Sequence, residues 1–212
     1  MAYRFRHSDP SVTAGLRRIA LEQIDRALAE IDDPEMDLHQ KVHQVRKRMK
    51  KLRGLVRLVR PVFPDYAAEN AIFRDAARRI SGLRDREVMI ETLDNLLDPG
   101  AARFAALRAA LAHAQQDSAG HLSTEEEIAA VRATLIAARA RVKHWRIAAD
   151  GFDALSGGFA KTFKRACRAM KRARYAPTDE VIHDWRKRAK YHWYQSRLLR
   201  PIHPDRMQDR IR

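Results

Sequence analysis

His43–Pro61 reads HQVRKRMKKLRGLVRLVRP, and His183–Pro201 reads HDWRKRAKYHWYQSRLLRP. Set against each other without gaps at an offset of 140 residues, nine of the nineteen positions are identical: His43/His183, Arg46/Arg186, Lys47/Lys187, Arg48/Arg188, Lys50/Lys190, Arg57/Arg197, Leu58/Leu198, Arg60/Arg200 and Pro61/Pro201. A composition rich in arginine gives roughly two or three chance matches in such a window, so the agreement points to duplication of a half-domain. Each copy reads as a helix stopped by a proline.

The helical period of about 100° per residue explains which positions are shared. His43, Arg46, Lys47, Lys50, Gly54 and Arg57 fall on one stripe, while Val42, Val45, Met49, Leu52, Val56 and Val59 form a broad apolar face suited to a bundle core. The second copy places His183, Arg186, Lys187, Lys190, Tyr194 and Arg197 on the matching stripe, with Trp185, Ala189 and Leu199 expected towards its core. Surface helices usually intersperse acids and gain a few tenths of a kcal/mol per opposite-charge pair. Here no Asp or Glu lies between His39 and Arg60, or between Trp185 and Arg200. A row of one sign repels itself, so a neutralising group from outside the helix is expected.

A third row repeats the pattern. Lys161, Lys164, Arg165, Arg168, Lys171 and Arg172 follow helical spacing, backed by Phe159, Phe163, Cys167 and Met170, and no acid intervenes from Ala154 to Ala176. These three stretches hold 22 of the 42 lysines and arginines of a 212-residue chain whose formal charge is +15. So concentrated a charge directs attention to polyanionic partners: DNA, RNA, an anionic membrane surface or a polymeric phosphate. One cysteine, Cys167, excludes an internal disulfide and fits a reducing compartment. No stretch approaches the roughly 18 apolar residues of a membrane span, and Met1–Pro10 lacks the apolar run of a secretion signal. A cytoplasmic protein without membrane partners is the simplest expectation.

Only 8 glycines and 8 prolines punctuate the chain, which favours long helices, and no strand pair is evident. Helical blocks are expected from Pro10 to Asp33, from Pro34 to Arg60, and from Asp65 to Asp98 with a break at Ser81–Gly82. Ala101 to about Asp117 forms a fourth, and Ser123 with Glu126 reads as the capping box of a fifth that reaches about Ile147. Asp150–Gly151 and Gly157–Gly158 bracket a stretch of undecided structure before a sixth block that ends near Tyr175. Thr178 caps a seventh that runs to Arg200, and an eighth has begun by Arg212.

At these residues the chain resembles the CHAD family, named for conserved histidines in an α-helical domain. The more specific match is His183-Asp-Trp-Arg186-Lys187-Arg-Ala-Lys190-Tyr-His-Trp-Tyr194. His43-x-x-Arg46-x-x-x-Lys50-x-x-Arg53, Leu83-Arg84-Asp85-x-Glu87-Val88 and Arg17-Arg18 agree with it. The likeness covers about residues 11–212, read as one domain with half-bundles at about 11–118 and 123–212. It implies an all-α fold of two pseudo-symmetric antiparallel bundles around a basic channel that binds inorganic polyphosphate, association in some members with polyphosphate granules, and CYTH-type triphosphate-handling domains as companions. A full second copy would repeat Leu83–Val88 near position 224, beyond Arg212, so a shortened or incomplete second bundle is expected.

Arg17, Arg18, Arg78, Arg79 and Arg84 are further candidates for lining the site. Lysines serve as point charges and arginines as forks towards phosphate oxygens. His43 and His183 are either hydrogen-bonding structural residues or phosphate donors, since the cations around them oppose a charged imidazole. Metal ligation by His39 and His43 lacks an evident third ligand, and neighbouring cations would repel the ion. Phosphoryl transfer would call for Mg²⁺-holding carboxylates that the basic rows do not supply, and no glycine-rich phosphate cradle occurs. Asp85 and Glu87, flanked by Arg84 and Arg86, read as ion-pair partners. Binding of polyphosphate without catalysis or cofactor is therefore expected, with nucleic acid only a non-specific competitor; a nucleic-acid-binding helical protein is the rival reading among binders and a polyphosphate-modifying enzyme the catalytic alternative. Trp185, Trp193, Tyr191 and Tyr194 raise base stacking as the feature that would favour a single-strand binder.

Overall fold

A computed structural model of the chain describes residues 3–81, 104, 106–107, 109–110 and 124–211. Among them every regular element is a helix: α1 (Val12–Asp32), α2 (Leu38–Leu58), α3 (Tyr66–Arg79), α4 (Thr124–Val142), α5 (Gly151–Tyr175), α6 (Asp179–Leu199) and the short α7 (Pro204–Gln208). No helix among the described residues is long and apolar enough to cross a membrane. Arg84, the Leu83–Val88 motif, most of the block at 101–117 and the Ser123 cap lie outside the described residues.

The helix starts follow side-chain capping. Ser11 accepts the amide of Ala14 at the head of α1, and Thr178 accepts that of Val181 at the head of α6. α2 begins at Leu38, four residues after Pro34, because Asp37 and Gln40 form a reciprocal capping box there. The break near Asp150 proves short. α5 runs unbroken from Gly151 through Gly157 and Gly158, so these two glycines are interior helical residues. Packing explains them: a Cβ on Gly158 would sit 1.7 Å from the Leu58 carbonyl oxygen, so glycine is what lets α5 press against the end of α2.

α1 and α2 pack together, α3 lies on α2, and α4 closes over α1 and α3. Leu16, Ile19, Ile24, Met49, Leu52, Leu55, Phe73 and Leu135 are fully enclosed at this centre. α4 ends at Val142, short of Ile147, and a turn then buries Trp145 against Phe63 and Phe73. Arg48 is neutralised from outside its helix, as a single-sign row requires, by Glu30 of α1. Arg141 of α4 likewise meets the buried Glu69 of α3 at 2.8 Å.

α5 and α6 form an extensive pair that leans on α2. The duplicated apolar faces meet different fates. Val42, Val45 and Met49 are at most 2% exposed, with Ile80, Ile128 and Val131 around the first two. Their counterparts Ile182 and Trp185 are 42% and 38% exposed, and Ala189 is exposed too. With Phe163, Cys167 and Met170 they line an open apolar groove on the outer side of α5 and α6. Trp185, Ala189 and Cys167 are thus not core residues, because among the described residues no counterpart of α4 covers this face. Leu199 is buried as expected.

Candidate functional site

The two copies of the repeat meet at their middles. Gly54 of α2 lies against Tyr194 of α6, so close that a Cβ there would stand 3.3 Å from the tyrosine Cβ and 3.2 Å from the Tyr3 hydroxyl. The buried Gln195 amide donates to the Gly54 carbonyl at 3.2 Å, a bond that offsets the desolvation of both groups. On one side of this contact Arg57 lays its guanidinium 3.9 Å from the ring centre of Tyr191. Arg53 reaches the same ring at 5.8 Å. These stacked cations hold the helices in register without a carboxylate.

The basic stripes of α2 and α6 share a cleft of about 480 Å³ with α3. Arg46, Lys50 and Arg53 enter from α2; Arg74 and Arg78 enter from α3; His183, Arg186, Lys187 and Lys190 enter from α6. Tyr191, Tyr194, Ala77 and Ser81 complete the lining, which contains no acidic residue among the described ones. Eight lysines and arginines therefore surround one space. At ~8 Å separation, two such charges repel by about 2 kcal/mol at an effective dielectric of 20.

The lining shows the strain of this arrangement. Burial holds Arg53 below the usual arginine range, and Arg57 and Arg74 push the same way against the favourable Tyr191 ring. Burial likewise raises the Tyr194 hydroxyl. Two of the cations meet acids on their own helices: Arg74 is bound by Asp75 at 2.8 Å, and Lys187 by Asp184 at 2.9 Å. Asp184 is held below the usual carboxylate range, chiefly by that lysine.

Of the residues expected from sequence, Arg46, Lys50, Arg53, Arg78, His183, Arg186, Lys187, Lys190 and Tyr194 line the cleft. His43 and Lys47 are exposed on α2, beyond the lining. Arg57 is adjacent, stacked on the cleft residue Tyr191. The remaining candidates lie elsewhere. Arg197 sits over Trp193 at 4.7 Å and lines a different cleft, because the two helices meet at Gly54 and Tyr194 and the C-terminal arm of α6 passes to the far side. Lys161, Lys164, Arg165, Arg168 and Lys171 are exposed on α5 and none enters the cleft, since the opposite face of that helix is the one packed on α6 and α2. Burial first, and then the nearby Arg165, hold Arg60 below the usual arginine range.

Arg17 and Arg18 are fasteners rather than lining residues. Arg17 donates to the Trp145 carbonyl at 2.7 Å. Arg18 binds Asp9 at 2.7 Å and Glu22 at 3.0 Å, tying the N-terminal segment to α1. Arg79 pairs with Glu127 at 3.0 Å. Arg74 escaped the sequence reading, although its i, i+4 spacing to Arg78 marks a basic face on α3; Asp75 beside it made the stretch look like ordinary mixed surface.

Among the described residues no group of three or more His, Cys, Asp or Glu side chains is placed to hold a metal ion. The cleft presents arginine forks and lysine point charges from three helices, groups whose geometry and charge complement oxygen-rich anions. The family model described as the CHAD domain matches residues 18–212. No curated protein and no solved structure matches the chain.

Proposed function

Since the chain belongs to the CHAD domain family, associated in general with polyphosphate binding, we propose that it binds inorganic polyphosphate in the cleft between α2, α3 and α6. The observation that carries this reading is the convergence of eight lysines and arginines from three helices on one space that, among the described residues, no acid lines. A linear phosphate polymer supplies one negative charge per unit and needs neither base edges nor a groove of fixed width. Its oxygens suit the arginine forks and lysine ammoniums of the lining. Each phosphate that is neutralised releases counterions, so affinity falls steeply with salt.

Two features favour a phosphate polymer over single-stranded nucleic acid. Stacking requires open aromatic faces, yet Tyr191 and Tyr194 are only 8% and 5% exposed. Trp185, the more open ring, lies in the apolar groove beyond the cleft. Binding without turnover is part of the proposal, as are a cytoplasmic location, attachment to polyphosphate granules and work beside CYTH-type proteins. The basic channel is proposed in the form of this cleft.

Competition calorimetry with the purified chain tests the reading. Polyphosphate is expected to displace both single- and double-stranded DNA; DNA that polyphosphate cannot displace would defeat the choice of ligand. Incubation with polyphosphate and Mg²⁺ should leave chain length unchanged, and progressive shortening would instead establish the catalytic alternative.

A further inference from the structure

The repeat supplies a comparison for the apolar groove on the outer side of α5 and α6. Under the 140-residue offset its α6 wall, Ile182, Trp185 and Ala189, corresponds to Val42, Val45 and Met49 of α2. The α2 face is closed: Ile80, just past α3, and Ile128 and Val131 of α4 surround Val42 and Val45. α4 does this as a helix whose Ile128, Val131 and Leu135, at i, i+3 and i+7, pack on the core. Its first turn carries Glu125, Glu126 and Glu127. The α6 face puts larger side chains at the first two positions, isoleucine for Val42 and tryptophan for Val45, yet both are exposed. With the exposed Phe163 across the groove, they form the kind of contiguous apolar surface that marks an interaction site.

We propose that this groove is a docking site for an amphipathic helix of another protein, apolar along one face and acidic along its edges. Size and charge specify that occupant. Phe163 to Met170 on α5 and Ile182 to Ala189 on α6 each advance seven residues, about 10.5 Å along a helix axis. The groove, of about 790 Å³, thus receives about two turns of a third helix, anchored at i, i+3 or i+4, and i+7. Arg186 and Lys190 border it from α6, and Arg210 sets its guanidinium 5.2 Å from the Phe163 ring centre. No acidic residue lines the groove among the described ones. A helix with carboxylates beside its apolar face therefore complements floor and rim together, whereas a second copy would bring the same three cations against these.

The floor is set before binding. The Trp193 indole N–H donates to the Ile211 carbonyl at 3.1 Å, and the His192 ring packs on Phe159 and Phe163 with centres 4.7 and 5.2 Å apart. Side chains already fixed lose little entropy when a partner arrives. A recess between two helices suits a third helix, while a flat bilayer would meet only its edges.

Fluorescence anisotropy with a labelled peptide of about 18 residues, leucines at i, i+3, i+4 and i+7 of its central turns and glutamates on both edges, tests the assignment. A second peptide of identical composition has its leucines redistributed around the helix, so it carries the same charge without the apolar face. The intact chain, free of polyphosphate, is expected to bind the first at least about tenfold more tightly. Trp185→Ala should remove that preference, and Phe152→Ala, at an exposed aromatic outside the groove, should retain it. If Trp185→Ala lowers helix content in circular dichroism, Ile182→Ser makes the same test on the same wall. Equal affinity for the two peptides, or binding of neither, would overturn the proposal, since only net charge would then be at work on this face. A Trp185-dependent dimer in sedimentation, or Trp185-dependent binding to phosphatidylglycerol vesicles, would overturn it equally by assigning the face to a second copy or to a membrane. Arg186 and Lys190 line the cleft as well as the groove, so the variants are confined to residues of the groove alone. Failure here leaves polyphosphate binding between α2, α3 and α6 untouched.

Discussion

Replacing Lys50 and Lys190 together with glutamine removes one cation from each of the two duplicated helices that face the cleft. Both side chains are exposed, so folding should be little affected. A charge-assisted contact contributes about 1.5–3 kcal/mol; exposure places these two at the lower end, so together they contribute about 3 kcal/mol, or roughly a hundredfold in affinity. Salt provides a second reading. Eight lining cations set a ceiling of about −6 on the slope of log affinity against log salt, taking ~0.7 per phosphate for a single-stranded polyanion. The double variant should flatten the measured slope by about 1.4. Fluorescence anisotropy of labelled polyphosphate across a salt series measures both quantities. Lys164→Gln with Lys171→Gln deletes the same charge from the outward row of α5 and should change the slope by less than half as much. Equal effects from the two pairs would refute the cleft as the seat of binding, because affinity would then follow net charge alone.

Three further outcomes concern the frame. Gly158→Ala should cost about 3 kcal/mol in chemical unfolding, since its Cβ would meet the Leu58 carbonyl at 1.7 Å; Gly157→Ala, whose nearest neighbour is the Pro61 side chain at 3.2 Å, should stay within about 1 kcal/mol of the parent. Arg48→Ala leaves Glu30 with its charge little hydrated and should destabilise by about 3 kcal/mol, a loss that simultaneous Glu30→Leu largely restores in thermal melts. His192, set between Phe159 and Phe163, is brought down to about 4 by burial and then by Arg210, from an ordinary 6.5. The unfolded chain therefore takes the proton first, and stability should fall as pH drops from about 6.5 towards 4, by about 1–2 kcal/mol after allowance for solvent screening. Urea titrations of His192→Phe should lack that slope.

How much could be read in advance depended on whether a feature was local. Helix boundaries set by capping or proline, such as the start at Thr178 and the stop at Pro61, are written in neighbouring residues. Charge repulsion along α2 and α6 is equally local, and nine of the thirteen lining residues were expected on that ground or from the family resemblance. What failed was long-range. Arg17 and Arg18 look like free cations in sequence, but their partners Trp145 and Asp9 are assigned only by folding; Glu22, four residues on from Arg18 in α1, is the one local partner. The double glycine in α5 looks like a break until Leu58 is placed against it. The α5 row obeys the same periodic rule as the other two, yet periodicity fixes only which residues share a face, not where that face is aimed.

The closeness of α2 and α6 at Gly54 accounts for the division of the repeat's charges. Two helices that met end to end would place both basic stripes along one continuous wall. Meeting near their middles, they split each stripe: Arg46, Lys50 and Arg53 join Arg186, Lys187 and Lys190 on one flank, while Arg197 goes with Lys51 to the other. Arg57 and Arg197, which correspond under the 140-residue offset, thereby acquire different neighbours, a tyrosine ring for the first and a second cation across the cavity for the second. Symmetry in sequence thus becomes asymmetry in electrostatics, and the residue that sets it is the one without a side chain. Enlarging Gly54 to leucine, which must push Tyr194 away, should disturb both flanks at once. Polyphosphate affinity that stayed at the parent's level in this variant would show that the cleft does not depend on this contact.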